Sequence, residues 1–210
     1  MKNHILILIF TLLSYLLDGQ TIKRVENENI EHFASRNNPG GTIIDTDKGG
    51  AIIETKWDSV QVIIAFYGQK YKLPISNDPS QEDCLRLVGC VYFQTEKNVY
   101  QKAIIDTIDE EGDAPQIESV FFAKATKSNQ KDLILIASYN QRHYDFSGTL
   151  YETFIYHKSV VNDRTILKYD KDLSEKLSGG CDCENRDGTK QHAKYKTAKE
   201  IRLELKNLGY

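Results

Sequence analysis

The sequence predicts an α+β fold: a mainly antiparallel β-sheet with a C-terminal amphipathic helix. Three observations carry this. Between residues 41 and 170, short runs of β-branched and aromatic residues alternate with Gly-, Asn- and Asp-rich turns. Leu133-Ile134-Leu135-Ile136-Ala137 is apolar without alternation, the pattern of a central strand covered on both faces. Finally, Thr197 and Glu200 form a capping-box pair ahead of an apolar stripe at Ala198, Ile201, Leu205 and Leu208, and Gly209 is placed to end that helix.

The chain has 210 residues, which suits one globular domain, with or without a small appendage. At 40% hydrophobic it is too apolar for a disordered chain. A net charge of −3 argues against nucleic acid as a partner, because a nucleic-acid binder needs a basic face to neutralise phosphates. No phosphate-cradling glycine motif is present, and no cofactor is expected.

Residues 1–20 read as a cleaved signal peptide. Lys2 supplies the positive start, and residues 5–17 form an apolar run as long as a signal-peptide core. A membrane-spanning helix needs about 18 or more such residues, so no stable membrane insertion is expected after cleavage. The neighbourhood of Gly19 and Gln20 lacks the small-x-small cleavage pattern, which leaves the cut position open. The expected location is exported, either periplasmic or extracellular.

Residues 21–40 read as a polar N-terminal arm or short helix, closed by the breaker Asn37-Asn38-Pro39-Gly40-Gly41. Residues 41–210 form a single β-rich domain. Runs 42–46 and 51–57 flank a turn at 47–50 and predict a hairpin. Run 60–67 precedes a turn at Gly68-Gln69 and a further run, 70–73. Residues 74–82 read as loop, followed by strands at 89–94 and 99–107. An acidic turn at 109–113 precedes strands at 117–125 and 132–139. Residues 149–157 alternate and pair with 160–169 across Lys158-Ser159 or a turn nearby, and the chain from there to the C-terminal helix reads as loop with turns.

Export makes the four cysteines a disulfide question. Cys84, Cys90, Cys181 and Cys183 allow three pairings. The favoured one joins Cys84 to Cys90 around a short loop and leaves Cys181 with Cys183. The other two cross-link the two regions. A C-x-C bridge is geometrically tight and therefore easier to reduce. The alternative is a metal or redox role for residues 179–184, with His192 nearby in sequence, but the spacing is not that of a familiar zinc pair and no metal is expected.

The densest polar and aromatic stretch is residues 138–151. It joins two strands, and loops held on rigid strands are where binding groups concentrate. Tyr139, Asn140, Arg142, His143, Tyr144 and Tyr151 are the candidate binding residues, since Tyr and Arg combine large contact area with a polar handle. His143 and Asp145 lie two apart, share a face in extended chain, and are the weak catalytic candidates. No G-x-S-x-G elbow accompanies them. The acidic cluster around Asp109 reads as a solvated turn.

These observations lead to an exported, non-enzymatic binding module, inhibitor-like or immunity-like, acting on an unknown protein or small ligand. The alternatives are a small hydrolase built on the His/Asp pair and a structural envelope protein.

Overall fold

The computed structural model describes residues 21–43, 51–72 and 84–210. The expected signal segment, the turn at 47–50 and the loop at 74–82 lie outside the described residues. In chain order the elements are β1 (Thr21–Lys23), α1 (Ile30–Arg36), β2 (Ile52–Trp57), β3 (Val60–Tyr71), β4 (Cys84–Glu96), β5 (Val99–Ile108), β6 (Gln116–Ala123), β7 (Asp132–Arg142), β8 (Phe146–Val161), β9 (Arg164–Tyr169), α2 (Lys171–Leu177), β10 (Gly180–Asn185), β11 (Lys190–Gln191) and α3 (Ala198–Asn207). The fold is thus mostly antiparallel sheet with few helices.

Two sheets stack. The first runs β1-β5-β4-β3-β2, and the second runs β11-β10-β8-β7-β6 with β9 also on β8. All the pairings between strands are antiparallel. Period-two alternation sorts each strand between two cores. Val62, Ile64 and Phe66 of β3 and Leu87, Val91 and Phe93 of β4 face Leu133, Leu135 and Ala137 of β7 across the inter-sheet core. The intervening residues Ile63, Ala65, Tyr67, Cys90 and Tyr92 face outward beneath Phe33 and Ala34 of α1. On the far side, Ile134, Ile136 and Ile155 are covered by Leu173 and Leu177 of α2 and by Ile201 and Leu205 of α3. Residues 133–137 are therefore buried on both faces, as their unbroken apolar run predicts.

The N-terminal segment is built into this arrangement. Thr21–Lys23 pairs with Gln101–Val99. Asn29 caps α1 by accepting from the His32 amide at 2.8 Å. Tyr67 Oη donates to the Ala34 carbonyl at 3.0 Å, and Tyr92 Oη donates to the Asn37 carbonyl at 2.9 Å, so two buried phenols anchor both the helix and its exit.

Several expected turns fall elsewhere. β3 runs straight through Gly68-Gln69, because β4 pairs with it continuously from Val62 to Tyr71. β2 pairs with β3, and Ile43 bridges to Gly68; residues 44–46 of the expected hairpin lie outside the described residues. The β8–β9 turn is Asn162-Asp163, four residues beyond Lys158-Ser159. Both of its residues have positive φ (49° and 59°), the conformation of a tight hairpin turn that Asn and Asp tolerate.

Three elements, α2, β10 and β11, stand where the sequence predicts loop, because each is short and the two strands form only by pairing with β8 and with each other. Residues 171–177 are helical, with Asp170 as the cap accepting from Leu173 N at 3.1 Å. The position of α2 solves a hydrogen-bonding problem. One edge of β8 is covered by β10 over residues 146–151 and by β9 over residues 156–161. The stretch between is covered by α2. Ser174 Oγ accepts from Ile155 N at 3.0 Å, Ser178 Oγ accepts from Thr153 N at 3.2 Å, and Thr153 Oγ1 donates to the Leu177 carbonyl at 2.8 Å. Side chains thus replace the missing ladder partners.

The C-terminal helix has the capping box the sequence predicts: Thr197 and Glu200 satisfy each other's amides. Ile201 and Leu205 are buried, whereas Leu203 is 60% exposed.

Candidate functional site

The stretch 138–151 folds as the ends of β7 and β8 and the turn between them. Its residues separate into buried and exposed groups. Tyr139 is 2% exposed and belongs to the inter-sheet core. Burial pushes its phenol upward, reinforced by the neighbouring Glu152 carboxylate. Burial likewise raises the Glu152 carboxyl, against the hydrogen bond from Tyr139. Tyr151 is half-buried and packs against the core beneath α2 and α3. Tyr139 is not a surface residue and Tyr151 is only partly one, because β7 and β8 continue as ladder further than their sequence pattern suggests, as far as Arg142 and Ser147. Asn140, Arg142, His143 and Tyr144 are exposed.

The turn itself is compact. The His143 amide donates to the Phe146 carbonyl at 2.9 Å. The His143 ring stacks on Phe146, with centroids 4.5 Å apart, and its Nε2 lies 3.2 Å from Gln141 Oε1. The imidazole thus turns to Gln141 and Phe146 rather than to Asp145, so the catalytic pairing expected for extended chain is not assembled. A turn rotates successive side chains apart, which removes the same-face relation that a strand would give.

A second element completes the surface. The turn after β10 lies alongside, and the Arg186 amide donates to the Asp145 carbonyl at 2.8 Å. The Arg186 guanidinium lies over the Tyr144 ring, 4.3 Å from its centroid. Tyr144 is nevertheless 80% exposed. Together His143, Tyr144, Phe146, Glu184, Asn185 and Arg186 line an open depression of about 310 Å³. Its second wall is fixed from within: Asn185 N donates to the Thr189 carbonyl at 2.8 Å, and Asp187 Oδ1 accepts from Thr189 N at 2.9 Å and from Thr189 Oγ1 at 2.7 Å. Asp187-Gly188 is legible as a turn, but its position beside residue 144 follows only from the pairing of β10 with β8.

A further polar cluster joins β7, β8 and α2. His157 Nδ1 lies 2.9 Å from Asp132 Oδ1, and its Nε2 lies 2.8 Å from Asp170 Oδ2. Three distant positions converge here, and no spacing in the chain announces them. Both ring nitrogens are engaged, so the imidazole serves as a bridge.

The cysteines divide sharply. Cys84 and Cys90 are both on β4. Six residues of extended strand separate them by roughly 20 Å, so the favoured bridge between them cannot form. Cys90 is wholly buried beneath α1, and burial pushes its thiol up to about 11. Cys181 and Cys183 lie side by side on β10 with their sulfurs at disulfide-bonding distance. Among the described residues no group of His, Cys, Asp and Glu is arranged to hold a metal ion, and no helix is long and apolar enough to cross a membrane. No family model, curated protein or solved structure matches this chain.

Proposed function

We propose that the chain is an exported, non-enzymatic binding protein whose partner docks on the tip formed by the β7–β8 turn and the turn after β10. The carrying observation is Tyr144. A large aromatic ring, 80% exposed, is held at the end of a rigid hairpin with Arg186 stacked on it. Tyr and Arg are the side chains that concentrate binding energy at protein interfaces, and a ring already held in place loses little freedom on docking. The depression beside it adds hydrogen-bonding groups from Glu184 and Asn185. A protein partner, rather than a small ligand, suits a surface this open. Export rests on residues 1–20, whose charge and apolar pattern are those of a signal peptide. In the same reading α3 is an amphipathic cap that holds the outer face of the second sheet and leaves the tip clear.

The test is site-specific photo-crosslinking in the producing cells. A benzophenone side chain is introduced at position 144 and, as control, at Leu203, which is exposed on α3. A discrete crosslinked product from position 144 alone supports the reading. No product from position 144, or the same product from both positions, overturns it.

A further inference from the structure

The C-D-C segment of β10 is not explained by stabilisation of the fold. A disulfide stabilises by restricting the unfolded chain, and the effect grows with the loop it closes. This one encloses Asp182 alone. The strand that carries it is already held, since β10 pairs with β8 from Gly180–Tyr151 through Asn185–Phe146. Gly179 N also donates to the Tyr151 carbonyl at 3.0 Å, and the Gly179 carbonyl accepts from Lys194 N at 2.8 Å. The bond fastens nothing that these contacts leave loose.

The surroundings fit a different use. Alternate residues of a strand share a face, so Cys181 and Cys183 project together while Asp182 projects oppositely. The Cα atoms of the pair are 5.3 Å apart, within the range a disulfide accepts. Access differs between the two: Cys181 is half-buried and Cys183 is 5% exposed. On the opposite face, Lys196 Nζ lies 2.7 Å and His192 Nδ1 3.2 Å from the two carboxylate oxygens of Asp182. These partners hold the Asp182 carboxyl below its usual range. A thiolate forming at either sulfur therefore does not face an uncompensated carboxylate. Opposite Cys183 stands Gly148, where a Cβ would lie 2.8 Å from the Cys183 sulfur. The ladder is cleared of side chain where the inner sulfur sits.

We propose that Cys181–Cys183 is an exchangeable disulfide that accepts two electrons from a thiol-containing reductant. A reductant thiolate attacks Cys181 Sγ, the more accessible sulfur. The Cys181–Cys183 bond breaks, and its electron pair leaves on Cys183, which takes up a proton. A second thiolate of the reductant attacks the mixed disulfide, forms the reductant's own disulfide, and releases Cys181, which is protonated in turn. Two thiols are oxidised to one disulfide, and one disulfide is reduced to two thiols. The chemistry requires only a thiol, carried by a small molecule or by a protein.

The test uses the full exported chain without denaturant. One arm incubates it with reduced glutathione and the other with reduced, unfolded ribonuclease A. Both are quenched by alkylation and mapped by peptide mass. The expected result is joint labelling of Cys181 and Cys183 in at least one arm, with Cys90 unlabelled in both. The arm that responds identifies small or protein thiols as the source. No labelling of the pair in either arm until the chain is unfolded overturns the proposal. A second measurement tests the order of attack. With oxidised glutathione, Cys183→Ser is expected to gain a glutathione adduct at Cys181 on the order of tenfold faster than Cys181→Ser gains one at Cys183. Equal rates overturn the assignment of Cys181 as the entry sulfur.

Discussion

His157 Nδ1 lies 2.9 Å from Asp132 Oδ1, and this contact places the buried Asp132 carboxylate, its side chain 5% exposed, against an imidazole from the neighbouring strand. Asp132 also accepts from the Ala125 amide at 2.9 Å, so it closes the β6–β7 connection at the same time. On the other side of the ring stands Asp170, the cap of α2. Lys168, paired with His157 in register, and Lys171 and Asp172 complete the charged surroundings.

This arrangement predicts a pH dependence. Burial opposes charge on His157, but hydrogen bonds to Asp132 and Asp170 and their charges outweigh it, and the imidazole is held above its ordinary 6.5. A group raised on folding contributes its full stability below the unfolded value and loses it as pH rises through the folded one. Burial opposes charge on Asp170 as well, but His157 and the Leu173 amide prevail and hold it below 3.8. Its contribution is complete above that value and is lost as pH falls through the depressed one. The melting temperature is therefore expected to fall between pH 6 and pH 9 in the wild type, and His157→Gln is expected to flatten that slope. Equal slopes in the two proteins would show that the bridge contributes nothing.

Ser174 is fully buried, and its hydroxyl accepts from the Ile155 amide. Ser174→Ala leaves that amide without a partner at the point where β8 has neither β9 nor β10 beside it. The expected cost is about 1–3 kcal/mol, read as a lower urea midpoint. Hydrogen exchange at Ile155 should accelerate more than at Leu135, which stays within the inter-sheet core. Uniform acceleration across both strands would argue against a local role.

Gly148 tolerates no side chain. A Cβ there would collide with the Asp182 carbonyl and stand 2.6 Å from Cys183 Cα, both of them backbone atoms that cannot swing aside. Gly148→Ala is expected to cost about 2–4 kcal/mol and to detach β10 from β8. Gly188, with open space where its Cβ would be, is the contrast for crowding, although its positive φ of 84° adds strain to an alanine. Calorimetry should rank Gly148→Ala as the more damaging, and the reverse order would remove crowding as the reason.

Tyr92 lies 2.8 Å from the Tyr67 hydroxyl, besides holding the Asn37 carbonyl. Tyr92→Phe keeps the edge-on ring contact with Phe33 and removes only the hydroxyl. Lys102 Nζ remains 2.8 Å from the same carbonyl, so the expected loss is modest, about 1–2 kcal/mol. Denaturant unfolding should show a shifted midpoint with an unchanged slope. No shift would mean that Lys102 alone satisfies the carbonyl.

The parts of the fold legible in the sequence are those written in local pattern. The unbroken apolar run of β7, the alternation of β8 and the capping box of α3 each depend on residues within one element. Turns were less legible, because Gly68 sits mid-strand while Asn162-Asp163 makes the bend, and only the partner strand decides which. α2 was missed because seven residues carry too little periodicity; Asp170 with Leu173 and Leu177 was the available signal. At the tip, Arg142, His143 and Tyr144 were readable as one stretch. Arg186 was not, since it is brought there by strand pairing. The same holds for His157 with its two aspartates. Tyr139 and Tyr151 show the converse: a polar and aromatic composition gives no information on which side of a ladder a ring falls.

The order of strands along the chain has a consequence for biosynthesis. The first sheet is drawn from residues before 109 and the second from residues after 115. Most neighbours in each sheet are also neighbours in sequence, β1 with β5 and β8 with β10 being the departures. A chain delivered from its N-terminus can thus complete one sheet by successive hairpins before the other exists. Until then Val62, Ile64, Phe66, Leu87, Val91 and Phe93 have no opposing layer. A fragment ending after Ile108 would present that apolar face to solvent, where it would associate with other copies rather than stand alone. Degradation that removes the second sheet would leave this face of the first without its covering layer.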